Sequence, residues 1–401
     1  MNDTEGRAPG KPESPDRDDR PRGAILMGRP FGVPVYVTPS WFLVAGLITW
    51  LFGSRLADVL PDLGGARYLL AFSFAVAFYA SVLVHELAHT VVGLRYELGV
   101  RRVQLQFLGG ISEIEKEAET PWREFWLAFV GPLLSLLLGG GFWLGLRAVR
   151  PDTVPGVLLA GLMVANLVVA AFNFLPGLPL DGGRMLRALV WALTGDPMKG
   201  TLAAVWTGRA LAVAVVLGLP IFSSSQDVER SGAEAMLDGV LAAILGFIIW
   251  QGAGSALRNA RLKQVLPRLK VRELARRSID VPADTPLGEA MRRAREAHAG
   301  AIVVVDGTGR PVALVKESAV TGIPEHRRPW VAVTAVSRDL EPGLTVPVDL
   351  AGEDILDTLR RAPATEYLVV RPDGTVYGVL SLTDLERRLT AALMGRPAGA
   401  N

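Results

Sequence analysis

The chain has 401 residues, half of them hydrophobic and a fifth charged, with no cysteine and a net charge of +2. That length exceeds one ordinary core, so two or more domains are expected, and the apolar excess points to a membrane protein. The small net charge argues against a nucleic-acid partner, and the missing cysteines exclude disulfides and thiolate metal sites, leaving His, Asp and Glu for any transition metal.

Residues 1–23 are rich in Pro, Gly, Asp, Glu and Arg and nearly devoid of large apolar side chains. They cannot bury enough surface to fold, so a disordered cytosolic arm is expected over 1–27. No apolar core with a small-residue cleavage site follows closely, so the arm is not read as a signal peptide. Gly28–Ser40, GRPFGVPVYVTPS, suits a short strand or an interfacial segment. Six apolar stretches follow, at about 41–54, 67–94, 124–149, 155–175, 202–222 and 234–256. Each approaches or exceeds the roughly 17–25 residues that cross a bilayer. Arg and Lys concentrate in 1–40, 95–123, 176–201 and the segment after 257, whereas the alternate loops hold chiefly Arg55, Arg147, Arg150 and Arg230. The positive-inside rule therefore places both termini in the cytosol, and a multi-pass protein of the plasma membrane is expected.

Within the second stretch, His85, Glu86 and His89 form HELAH, an H-e-x-x-H pattern. Residues four apart on a helix lie nearly one above the other, so both imidazoles reach one ion, and Glu86 sits beside them as a general base. A chance pair of core histidines is the rival reading. It would bury two imidazoles and a carboxylate without partners, at a cost of several kcal/mol. The next stretch, Val103–Thr120, alternates apolar and polar residues around Gly109-Gly110 and reads as a hairpin. A re-entrant β-segment beside the metal, able to pair with an extended substrate, and an ordinary cytosolic hairpin are both open.

A catalytic zinc usually takes three protein ligands. The other two histidines, His298 and His326, lie far downstream in polar sequence and read as surface residues. The third ligand is therefore expected to be a carboxylate. Asp181 closes NFLPGLPLDGG at the foot of an apolar stretch, where Pro176, Gly177 and Pro179 must break the helix. Taken alone, Asp181 would simply cap the helix that follows, over Gly183–Leu193. With HELAH present it becomes the leading ligand, with Asp238 in reserve. Asn173 offers an amide that stabilises a developing oxyanion or orients substrate.

HELAH in one span and N-x-x-P-x-x-P-L-D-G-G in a later one resemble the site-2 protease family of intramembrane zinc metalloproteases, and Val130-Gly131-Pro132 resembles its Gly-Pro element. The match covers about 30–256. The resemblance implies one zinc per chain on His85, His89 and Asp181, Glu86 as base and Asn173 in support. It also implies that Gly109-Gly110-Ile111-Ser112 belongs to a membrane-embedded β-region near the substrate. Ser135 departs from the pattern, since some members carry Asn there.

After a basic linker, 257–270, the composition becomes that of a soluble domain, and a shift of 65 residues overlays the chain on itself. It lays Asp280-Val281-Pro282 on Thr345-Val346-Pro347, Ala301–Val305 on Glu366–Val370, and Gly309 on Gly374. Two repeats, 271–330 and 331–395, followed by a tail, 396–401, are expected to pack as one module. The pair is similar to tandem cystathionine-β-synthase (CBS) domains. That resemblance implies contacts from Ser381 and Asp384 to an adenosine nucleotide such as ATP, ADP or AMP. In the first repeat, Lys316 and Ala319 stand at the matching positions, so nucleotide sensing and ligand-free scaffolding both stay open. CBS pairs often associate face to face, which makes a homodimer an expectation.

The expected fold class is a polytopic α-helical membrane protein, six transmembrane helices with a small re-entrant β-region, plus an α/β cytosolic CBS-domain pair. The expected function is zinc-dependent hydrolysis of peptide bonds within transmembrane segments of membrane proteins, such as a membrane-tethered regulator. A CBS-regulated transporter or channel and an inactive metal-binding scaffold are the alternatives.

Overall fold

The computed structural model describes residues 21–106, 109–224 and 232–393. Most of the expected arm, most of the loop 223–233 and the tail 396–401 lie outside these residues. The chain divides into two compact units, Met1–Leu257 and Arg258–Asn401.

The first unit opens with β1 (Ile25–Gly28), β2 (Val35–Val37), α1 (Pro39–Val59) and α2 (Arg67–Arg95). There follow β3 (Val100–Gln106), β4 (Gly109–Ile114), α3 (Pro121–Leu146) and α4 (Val154–Phe174). It continues through α5 (Asp181–Thr194), α6 (Pro197–Ser224) and α7 (Gly232–Val265), the last running past the division. The arm ends sooner than 27, because Ile25 and Leu26 already pair with Val37 and Tyr36. Six helices, α1 to α4, α6 and α7, are long and apolar enough to span a membrane. Their outward faces are apolar: Leu43 is 73% and Leu217 59% exposed, a surface suited to lipid rather than water. The chain is a multi-pass integral membrane protein.

Local chemistry sets the ends of these helices. Thr120 and Thr153 cap α3 and α4, accepting from the amides of Arg123 and Gly156, each followed by proline in the first turn. Gly195, at φ +72°, closes α5 in the left-handed conformation. The four strands form one sheet in chain order, with β2 parallel to β3 and the other pairs antiparallel. Val35 and Val103 pack with Leu83 of α2, and Val37 and Leu105 with Phe78 and Val82, so the sheet lies against the helix that carries HELAH. Gly109 and Gly110 do not form the hairpin turn. They open β4, opposite Gln106 and Leu105.

The second unit begins with α8 (Val271–Leu274), β5 (Ser278–Pro282), α9 (Leu287–Glu296), β6 (Ala301–Val305), β7 (Pro311–Val315) and α10 (Glu317–Thr321). Its second half holds β8 (Ser337–Asp339), β9 (Thr345–Pro347), α11 (Glu353–Arg361), β10 (Glu366–Val370), β11 (Val376–Ser381) and α12 (Leu382–Leu393). The strands make two sheets, β5-β6-β7-β8 and β11-β10-β9. β6 and β10 start 65 residues apart, and Gly309 and Gly374 both take φ +82° in the turns that follow them, a conformation that favours glycine. Each half lends a segment to the other. β8 pairs with β7, while Val271 and Leu274 enter the core built by Val346, Ile355 and Leu380. Val303, Leu314, Leu368 and Val379 join the two sheets.

Candidate metal centre

His85 and His89 are buried one turn apart on α2, their Nε2 atoms 3.2 Å from each other. Asp181 Oδ2 lies 3.3 Å from both. The other ring nitrogens are already committed: the His89 Nδ1–H donates to the Leu127 carbonyl (2.6 Å), and His85 Nδ1 is hydrogen-bonded to the Ser135 hydroxyl (2.9 Å), both on α3. A carbonyl can only accept, so neutral His89 carries its proton on Nδ1 and turns a lone pair at Nε2 towards Asp181. Lone pairs that converge this closely repel one another unless a cation sits among them. Gly131 of α3 completes the cradle, since a Cβ there would stand 2.3 Å from His89 Nε2 and 2.7 Å from His85 Nε2. Two imidazoles and one carboxylate suit zinc and leave a coordination position for chemistry.

The third ligand reaches this point through the broken segment after α4. The loop packs on α6 so tightly that a Cβ on Gly177 would lie 2.6 Å from the Gly208 Cα. Asp181 is the first residue of α5 and not its cap: the Leu180 carbonyl takes the amides of Gly183 and Arg184, while the carboxylate faces the histidines. The reserve ligand, Asp238, stands on α7, where its side chain lies outside the described residues.

Sequence reasoning missed the clamp that orients α5. Arg184 and Arg187 both reach Glu124, buried to 3% exposure in the first turn of α3, at 3.1 and 3.7 Å. Arg187 also pairs with Glu117 at 2.8 Å. Two arginines three residues apart, the first three positions after Asp181, were the available signal. In the sequence they register only as positive charge within 176–201, at a span end.

Glu86 is buried beside His85, and its carboxylate accepts a hydrogen bond from Ser112 of β4. The three ligands and Glu86 line a cavity of about 590 Å3, together with Tyr79, Ile111, Phe172 and Asn173. Asn173 is half-buried, and among the described residues its amide makes no protein hydrogen bond.

In the second unit, Ser381 is buried at the end of β11 and lines a smaller cavity of about 210 Å3 with Arg276, Gly300, Glu366 and others. Asp384 is occupied. The Arg276 guanidinium donates to both its oxygens, Nε to Oδ2 at 2.5 Å and Nη2 to Oδ1 at 2.9 Å, and also reaches Glu317 at 2.8 Å. That hydrogen bonding holds Asp384 below the ordinary carboxylate range, against a smaller opposing effect of burial. His298 and His326 are exposed, as expected.

Comparison with known proteins agrees with this geometry. The family model for Peptidase family M50 matches residues 73–158 and 148–217, and that for the CBS domain matches 271–322. A protein of Synechocystis sp. described as "Putative zinc metalloprotease sll0528" is 31% identical over 377 residues, 89% of this chain and 93% of that protein. "Putative zinc metalloprotease Rip3" of Mycobacterium tuberculosis is 30% identical over 392 residues, covering 94% and 95% respectively. The solved site-2 protease from Methanocaldococcus jannaschii aligns with 58% of this chain and 94% of its own at 20% identity and a TM-score of 0.39. The class is a membrane-embedded metallohydrolase with a His-His-Asp site. The chain belongs to the site-2 protease family of zinc metalloproteases, Peptidase family M50, and carries a C-terminal CBS region.

Proposed function

We propose that the protein is an intramembrane endopeptidase that cuts transmembrane segments of other membrane proteins, releasing a membrane-tethered regulator or similar product into the cytosol. The observation that carries this reading is the convergence of His85, His89 and Asp181, whose ligand atoms lie within 4.8 Å of one another, on a cavity inside a bundle of apolar helices. His85 and His89 would hold the metal through Nε2 and Asp181 through its carboxylate. Zinc, when bound, supplies the Lewis acid that activates water and polarises the scissile carbonyl. Glu86 accepts a proton from water as the water oxygen bonds to the carbonyl carbon, and delivers it to the amide nitrogen as the C–N bond breaks. Asn173 donates its amide to the substrate carbonyl or the backbone beside it. A helical segment shields its carbonyls, so the substrate unwinds locally and lies extended in the cavity.

The charge bias at the span ends supports a plasma-membrane protein with both termini in the cytosol. For the CBS pair, the reading is modulation by an adenosine nucleotide that displaces Arg276 from Asp384, with pairing of two copies through these domains.

Glu86→Gln tests the chemistry. The variant should keep its zinc and lose peptide cleavage in detergent by at least ~100-fold. Proteomics of membrane fragments from cells with wild-type and variant protein should show fragments that only the wild type releases. Undiminished cleavage by Glu86→Gln would refute the base, and the absence of any differential fragment would refute the protease.

A further inference from the structure

The strand β4 is more than a neighbour of the active site. Its side chains alternate between two faces, and the face with Gly110, Ser112 and Ile114 lies along one stripe of α2, against Glu86, Thr90 and Gly93. Contact is closest at Gly110, where a Cβ would stand 2.2 Å from Glu86 Cγ and 2.9 Å from Oε1. Two residues on, the Ser112 hydroxyl lies 2.7 Å from Glu86 Oε2. Its other acceptor is the Glu86 carbonyl, farther away at 3.1 Å and already served by the Thr90 hydroxyl at 3.0 Å. With a single proton to give, Ser112 directs it at the carboxylate.

We propose that Ser112 is a positioning residue for Glu86: by holding Oε2 it fixes the rotation of the carboxylate and leaves Oε1 as the oxygen that takes and returns the proton. The inference rests on Glu86 being the base. A carboxylate on a glutamate stem otherwise turns about its last torsion over a broad range, and each turn exchanges its two oxygens. Ser112 removes that freedom before substrate arrives, which is the preorganisation a base needs. The anchor is itself held by the sheet. Ser112 pairs in register with Val103 and Gly110 with Leu105, and both of those partners are buried against α2. On its other side β4 is an edge, unpaired among the described residues.

The test uses full-length protein in detergent and a dye-labelled single-span peptide with a Gly-Pro pair in its apolar stretch, with wild-type turnover as reference. Ser112→Ala should lower kcat roughly 10- to 100-fold, the range expected for a hydrogen bond to a charged group, with KM within about twofold. Zinc content and thermal midpoint should match wild type, and Ser112→Thr, which keeps the hydroxyl on a strand-favouring residue, should restore most of kcat. Gly110→Ala should lower kcat at least as far, because its methyl displaces the Glu86 stem. Wild-type kcat in Ser112→Ala would overturn the proposal. So would a loss confined to KM, a loss accompanied by zinc release or unfolding, or failure of Ser112→Thr to rescue. Full activity in Glu86→Gln, run alongside, would instead remove the reading on which it rests.

Discussion

The two imidazoles of the HELAH segment take their orientation from different kinds of partner on α3, and only one of these can be removed by substitution. Leu127 offers a backbone carbonyl to His89, beyond the reach of a side-chain change, whereas Ser135 offers a hydroxyl to His85. Loss of such an outer partner typically weakens metal binding by roughly 10- to 100-fold. Ser135→Ala should therefore release zinc to a chelator at a concentration at least tenfold below that needed for wild type, with the helical circular dichroism unchanged. Retention equal to wild type would show that the packing of the ring suffices. In the sequence, Ser135 was visible only as a departure from the family pattern. A serine three residues beyond a proline carries no sign that it faces a histidine fifty residues earlier. Gly131 was legible as part of a Gly-Pro element, but its purpose, room for two Nε2 atoms, needed the neighbouring helix.

At the scale of elements, the site is an assembly of α2, which brings His85, His89 and Glu86, and α5, which brings Asp181. Glu124 joins α5 to α3 by receiving Arg184 and Arg187 in a place that is nearly dry. Removing Glu124 takes its ion-pair partner from Arg184 and leaves Arg187 with Glu117 alone, at a cost of about 1–3 kcal/mol. Glu124→Ala should lower the thermal midpoint in detergent by several degrees. It should also weaken zinc retention, because Asp181 stands one turn before Arg184. A midpoint within one degree of wild type, with zinc held normally, would show that the loop after α4 fixes α5 unaided. The span helices were readable from apolar length alone, and α5 from the Pro-Gly break before it. The hairpin was readable from alternation, but the place of Gly109 and Gly110 within it was not. They belong in the strand because the stem of Glu86 occupies the space of a side chain at Gly110.

On the scale of the whole molecule, a membrane unit with a metal centre is followed in the chain by an α/β unit in which Arg276 holds Asp384. Arg276 keeps Asp384 ionised in the folded state at pH values where the unfolded carboxylate begins to protonate. The resulting stability is fully present above the unfolded value of about 3.9 and is lost as the pH falls through the lower folded value. Protection of the β11 amides from hydrogen exchange, relative to their intrinsic rates, should fall below about pH 4 in wild type, while in Arg276→Ala it should be lower already at neutral pH and change less with acid. The same variant should bind added AMP roughly tenfold more tightly, since a competitor for Asp384 is gone. Equal affinities would show that the arginine does not compete with nucleotide. What the sequence determined by itself were the features that short-range physics writes into local pattern. These are the spans, through apolar length; the paired histidines with Glu86 beside them, through helical spacing; the repeat, through its 65-residue shift; and a carboxylate as the expected third ligand, through the lack of cysteine and of a third nearby histidine. The tertiary structure alone decided which partners hold those groups: Ser135 and Leu127 on the histidines, Glu124 on the arginines, Ser112 on the base and Arg276 on Asp384. Each of these contacts joins residues 26 to 108 positions apart, with no periodicity to announce it, and each exists because a polar group drawn wholly or partly out of water must find its partner wherever packing brings one near.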